Sequence, residues 1–312
     1  MRIVFWGSPA FALPSLRALL EEGHDVVGVV TQPDRPAGRG RRLRPSAVKE
    51  VALEEDVPVL TPERPRGDAF LEDLRSLEPE VSVVVAYGHI LRPEVLDLPG
   101  QGSINVHASL LPDLRGAAPV NWAIIRGFQT TGVTIMRMTE GMDAGPILLQ
   151  HEEPIGERDT ASSLTLRLSE VGAGALVEAL ALLELGVIEE REQDHDRASF
   201  APKVDRETAR IDWALSAEKV SRWIRGMDRI PGAWSPLGGE PVKLFSPEVL
   251  FSVDHGAPPG TVLIGDPDGE GLIVATDPGA VRIDVVQPAG KRRMDAGAWL
   301  RGSGPGEGDR FG

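Results

Sequence analysis

The chain has no cysteine, which excludes disulfides, thiolate nucleophiles and cysteine-ligated metals together. Aromatic residues are scarce, at 5%, and Tyr87 is the single tyrosine. The six histidines stand at 24, 89, 107, 151, 195 and 255 and never fall into an HxxxH or HExxH spacing, so no metal site is expected. No apolar run reaches the roughly 18–20 residues that a membrane-spanning helix requires. The N-terminus opens straight into a strand, and a cytoplasmic protein with no membrane partner is expected. Positive charge is short as well: Lys and Arg number 33 against 47 Asp and Glu, for a net −14. Such a balance repels polyanions on average.

What is present suffices for two domains. The chain has 312 residues, 41% hydrophobic and 26% charged, ordinary proportions for soluble cores. The acidic average has one local exception. Between residues 31 and 49 stand Arg35, Arg39, Arg41, Arg42, Arg44 and Lys49 against Asp34 alone, a net of +5. Most of this segment is a glycine-containing loop. Its charge suits either a solvated, mobile surface segment or an arm that contacts phosphates and orders on binding.

Read in order, the chain opens with an apolar run at 2–6, a helical spacing over 10–22 and a second apolar run at 26–30. Strand, helix and strand in about 30 residues make a βαβ unit, which implies a parallel sheet. No G-x-G-x-x-G follows the first strand, so the dinucleotide fingerprint is missing. Residues 81–86 form the most strongly β-branched apolar run, the mark of a central strand. Residues 131–138 alternate apolar and polar, which predicts a strand on a less buried edge. Residues 160–185 predict a long amphipathic helix covering one face of the sheet. The polar stretch 190–206 reads as a linker, with one strand near 198–200. It separates a domain over 1–189 from a second over 207–312. In the latter a helix over 217–227 precedes short strands at 242–245, 260–264, 271–276 and 281–286. Gly, Pro and Asp turns divide them, the pattern of a small β-barrel. The glycine-rich tail from 302 onward is expected to be disordered.

Chemistry concentrates between residues 102 and 148. Asn105 and His107 stand two apart in a short strand, so both side chains project from one face. An amide and an imidazole aimed together at a strand end, before the turn bearing Pro112, can stabilise developing negative charge. Asp143 lies in a glycine-flanked loop and can orient the ring or move a proton. Taken alone, such a histidine is more often a satisfied structural residue than a catalytic one. Tyr87, Gly88 and His89 end the central strand, where open α/β sheets bind ligands.

With these residues in view, the chain closely resembles the methionyl-tRNA formyltransferase family nearly end to end. The likeness rests on Gly7-Ser8-Pro9 with Phe11, and on the basic run from Thr31 through Arg39 to Gly40. It continues in Ala86-Tyr87-Gly88 and Asn105-Val106-His107-Ala108-Ser109-Leu110-Leu111-Pro112, then Arg115-Gly116-Ala117-Ala118-Pro119. Thr131-Gly132-Val133-Thr134, the Asp143 loop, Ala209-Arg210-Ile211-Asp212-Trp213 and Gln287-Pro288-Ala289-Gly290-Lys291 complete it. The resemblance implies a Rossmann-like formyltransferase domain with a mostly parallel sheet, followed by a small OB-like β-barrel. It implies 10-formyltetrahydrofolate as formyl donor and the α-amino group of methionyl initiator tRNA as acceptor, with no metal and a monomer. The family's catalytic positions fall on Asn105, His107 and Asp143. The folate-contacting segment falls on Ser109, Leu110, Leu111 and Pro112, with the pterin near Tyr87, Gly88 and His89. The tRNA-contacting arginine falls on Arg39, with Arg41 and Arg42 beside it. In the second domain Lys291, Arg292 and Arg293 suit either further contacts to the tRNA backbone or a solvated turn. Relatives sharing the Asn-His-Asp centre act on other amines, such as an amino sugar nucleotide or a purine precursor. A non-catalytic tRNA- or folate-binding module would share the fold. The arginine loop and the second domain favour tRNA.

Overall fold

The apolar opening run forms β1 (Arg2–Gly7), and α1 (Leu13–Glu21) carries the chain back to β2 (Asp25–Val30), parallel to it. The structure, a computed structural model, describes residues 1–37, 42–251, 253, 255–263 and 271–312. The basic segment departs from a structureless loop. Its flanks, β3 (Arg35–Ala37) and β4 (Arg42–Arg44), pair antiparallel with Arg35 opposite Arg44 and Pro36 opposite Leu43. Arg39 and Arg41 lie outside the described residues. The next helix, α2 (Ala47–Glu54), starts where Ser46 Oγ accepts the Lys49 N–H, as an N-cap serine should.

Chain and sheet then alternate through β5 (Val59–Leu60), α3 (Asp68–Ser76), β6 (Val81–Val85), α4 (Pro93–Leu96) and β7 (Ser103–His107). After α5 (Pro119–Ile125) come β8 (Thr130–Arg137), β9 (Ile147–Pro154) and the long α6 (Ala161–Glu184). The seven strands lie in the order β5-β2-β1-β6-β7-β8-β9, parallel except for the β7–β8 and β8–β9 pairs. β6 is central and wholly buried, as its β-branched run predicts.

β8 corrects the edge assignment: it is interior, buried from Thr131 to Met136, and β9 takes the edge. Its alternation misleads because the polar positions are threonines. Thr134 hides its hydroxyl by donating to Ser109 O at 2.6 Å. On α6, a Cβ added at Gly172 would meet Val106 Cγ1 at 3.0 Å, so this helix packs closely on β7.

By contacts the first compact unit comprises Met1–Pro119, Thr130–Pro154 and Thr165–Ala201, and the second comprises Val120–Gln129, Ile155–Leu164 and Pro202–Gly312. In the second, α7 (Ala217–Gly226) precedes β10 (Trp234–Leu237), β11 (Glu240–Leu250), β12 (Leu272–Ala275), β13 (Ala280–Pro288), β14 (Met294–Asp295) and α8 (Ala296–Gly302). Its strands form an antiparallel half-barrel in the order β10-β11-β13-β12, with β14 on β13. Val220 and Ile224 of α7 enter its core beside Leu244, Val274 and Ile283.

The tail is ordered, against expectation. Phe311 is 1% exposed, its ring centroid lies 5.7 Å from that of Trp213, and its N–H donates to Gly260 O at 2.9 Å. A glycine-rich composition conceals the single large apolar side chain that anchors it. No helix among the described residues is long and apolar enough to cross a membrane.

Candidate active site

Parallel pairing sets Val84 of β6 opposite Asn105 of β7, so the carboxyl ends of both strands open side by side. The strand period then decides what faces that end. Asn105 and His107 project from one face, and Asn105 is half-buried while His107 is buried. The Asn105 side-chain amide makes no hydrogen bond to the described residues, which leaves it open to a ligand. His107 Nε2 lies 3.1 Å from Leu114 O. A carbonyl only accepts, so Nε2 carries the proton. The other ring nitrogen, Nδ1, stands 3.7 Å from Asp143 Oδ2. The sequence separates these two residues, and β8 and the loop after it bring them together.

Asp143 is held from the far side. Its Oδ2 accepts the backbone N–H of Gly116 at 2.8 Å, a charge-assisted bond of the stronger kind. Asp143 (φ 48°) and Leu114 (φ 59°) both occupy the left-handed region. Non-glycine residues there carry strain, which concentrates at functional sites. Gly116 and Leu114 escape sequence reading because they act through backbone atoms. Gln193 escapes it too. This buried residue, in the stretch read as a linker, donates from Nε2 to Asp143 O at 3.0 Å and to Gly145 O at 2.7 Å. No periodicity or motif marks it.

The turn after β7 carries the remaining candidates. Ser109 is buried and bonds Asp113 O at 2.5 Å, while Leu111 is buried and Leu110 and Pro112 are half-buried. Thr134 Oγ1 accepts the Leu111 N–H at 3.1 Å, and Gln150 Nε2 donates to Leu111 O at 2.9 Å. The turn is thereby fixed to β8 and β9 before any ligand arrives.

At the end of β6, Tyr87 turns inward. It is 2% exposed, its ring stands edge-on to Trp6 at 5.3 Å, and its hydroxyl has no partner. Burial pushes its pKa up to about 12. Gly88 (φ 86°) is exposed and admits Gln32 Nε2, which donates to Tyr87 O at 2.9 Å. A Cβ there would lie 2.7 Å from that nitrogen. His89 is half-buried against the Tyr87 ring, at 5.5 Å, and Ile90 is 87% exposed.

Of the basic candidates, Arg42 is exposed on the hairpin, flanked by Leu43 at 67% exposure. In the second unit Lys291, Arg292 and Arg293 are exposed after β13, and the Arg293 guanidinium lies 3.5 Å from the Phe245 ring centroid.

Residues 1–180 match the formyl transferase domain and residues 203–304 the formyl transferase C-terminal domain. Over 310 residues the chain is 46% identical to the methionyl-tRNA formyltransferase of Pelobacter propionicus, covering 99% of this chain and 96% of that one. Among solved structures, HypX from Aquifex aeolicus in complex with tetrahydrofolic acid aligns with a TM-score of 0.65 at 22% identity, over 100% of this chain and 50% of that one. The methionyl-tRNA formyltransferase from Clostridium thermocellum aligns with a TM-score of 0.59 at 15% identity, over 81% of this chain and 95% of that one. At those identities the two structures bear on fold alone. Sequence identity carries the family: matched along both domains and across almost its whole length, the chain belongs to the methionyl-tRNA formyltransferases.

Proposed function

We propose that the chain is a cytoplasmic enzyme that transfers the formyl group of 10-formyltetrahydrofolate to the α-amino group of methionine on initiator tRNA. The product, N-formylmethionyl-tRNA, serves translation initiation. The observation that carries the catalytic reading is the convergence of Asn105, His107 and Asp143, with the carboxylate 3.7 Å from His107 Nδ1.

In this reading the neutral methionyl amine attacks the formyl carbon. A C–N bond forms and the carbonyl π pair moves onto oxygen. With Nε2–H committed to Leu114 O, the Nδ1 edge of a protonated His107 ring and the free amide of Asn105 are the donors for that oxyanion. Losing one such donor costs about 100–1000-fold in rate. Collapse breaks the bond from carbon to N10. Asp143, directly or through one water, takes the proton from the attacking nitrogen and delivers it to N10. No covalent enzyme intermediate is required.

The turn of Ser109, Leu110, Leu111 and Pro112 and the segment Tyr87, Gly88 and His89 flank the folate in this reading. Exposed Ile90 and Gly88 leave apolar surface for a flat pterin at the end of β6, the type of lining small-molecule sites use. The basic segment supplies Arg39, Arg41 and Arg42 to tRNA phosphates, since a chain of net charge −14 must attract them locally.

The test is formylation of methionyl initiator tRNA by the purified chain with 10-formyltetrahydrofolate, beside uncharged tRNA and free methionine. Product on the charged tRNA alone is expected. No product there, with turnover on an amino sugar nucleotide, would replace this reading.

A further inference from the structure

The guanidinium of Arg115 is buried, at 6% exposure. Its partners among the described residues are two neutral acceptors. Nε and Nη2 donate to Gln193 Oε1 at 3.2 and 2.7 Å, and Nη2 also meets His195 Nδ1 at 2.9 Å. Placing a cation in such surroundings is costly, and the groups around it must be fully satisfied to hold it.

The cation settles which way the Gln193 amide points. Reversing the amide would set its NH2 against guanidinium donors and its oxygen against two carbonyls. With Oε1 taken by Arg115, Nε2 can only face Asp143 O and Gly145 O, at 3.0 and 2.7 Å. A single NH2 group therefore spans both ends of the Asp143 turn. The turn passes close to β8, because a Cβ on Gly145 would stand 2.1 Å from Arg137 O.

These bonds close a ring. The Asp143 carboxylate accepts from Gly116 N–H, and Gly116 follows Arg115. The Arg115 side chain bonds Gln193, and Gln193 returns to the Asp143 carbonyl. The Asp143 side chain is thus tied to Gly116 and its backbone to Gln193, and Arg115 links those two partners.

We propose that Gln193 is a positioning residue for formyl transfer: its amide, oriented by the buried Arg115 guanidinium, holds the Asp143 turn so that the carboxylate faces His107. This rests on the catalytic reading of Asp143 given above. Displacing a reacting group by about 1 Å costs on the order of 100-fold in rate, so the clamp acts on turnover and leaves substrate binding alone.

Gln193→Glu tests it. The new carboxylate pairs with Arg115 and keeps the buried cation satisfied, but it presents oxygen instead of N–H to the two carbonyls. The expected result is kcat lower by about 10–100-fold, with KM for tRNA and for 10-formyltetrahydrofolate within about twofold and the melting temperature little changed. A wild-type kcat would overturn the proposal. Where the Glu variant folds poorly, the paired Arg115→Met and Gln193→Met substitution removes cation and clamp together and should show the same loss. The decisive arm adds Gln193→Glu to Asp143→Asn. If Gln193 acts through Asp143, the second substitution changes kcat by less than about twofold. A full multiplicative loss would show that it acts elsewhere. Wild-type kcat in Asp143→Asn alone would instead remove the catalytic reading of Asp143.

Discussion

The carboxylate of Asp143 accepts the backbone N–H of Gly116 at 2.8 Å, across 27 residues of chain. Gly116 holds φ at 114°, and a Cβ there would stand 2.9 Å from Ala201 O. Gly116→Ala should therefore swing the N–H away from Asp143. The expected cost is about 1–3 kcal/mol of stability, read by denaturant titration, together with about a 10-fold lower kcat. Unaltered turnover in a destabilised variant would detach this bond from catalysis.

Asn105→Ala and His107→Ala each remove one donor to the proposed oxyanion. Single-turnover formylation should slow by about 100–1000-fold in each, with binding of the folate donor retained. A slowdown below about fivefold in Asn105→Ala would take that amide out of the oxyanion site.

Arg42 is exposed on the hairpin. Arg42→Ala should raise KM for tRNA and lower the slope of log KM against log salt by about one, leaving kcat unchanged. Arg39→Ala and Arg41→Ala should act likewise. Unchanged tRNA kinetics in all three would exclude the basic segment from tRNA binding.

Tyr87 is the single tyrosine, so its phenolate absorbance reports one group. Burial raises its pKa to about 12 from an ordinary 10.0. The folded state therefore keeps the proton where the unfolded chain releases it. The stability linked to this group is fully present below about pH 10 and is lost as pH climbs through about 12. Phenolate appearing at pH 10 in the native protein would contradict the burial. Tyr87→Phe removes a hydroxyl that has no partner, and should leave the melting temperature equal or higher. A raised KM for the folate donor in that variant would tie the hydroxyl to the donor site.

Phe311→Ala empties a position 1% exposed in the core of the second unit. The expected loss is about 3–5 kcal/mol, measured by thermal or denaturant unfolding. A loss under about 1 kcal/mol would mean that the tail packs loosely.

Sequence alone determined what depends on near neighbours. The βαβ opening, the buried β6 run and the shared face of Asn105 and His107 all follow from local periods of 3.6 and 2, and the motif string carried the family. Only the tertiary structure decided what covers each face. β8 reads as an edge because its threonines look polar, yet Thr134 satisfies its hydroxyl on Ser109 O across 25 residues. Gln193 sits in a stretch without period, and its partners lie 50 and 78 residues away at Asp143 and Arg115. Phe311 is anchored by Gly260 and Trp213, although the tail around it is mostly glycine and charge. Periodicity records which way a side chain points, whereas a buried polar clamp or a docked tail depends on chain segments that meet only once the fold is closed.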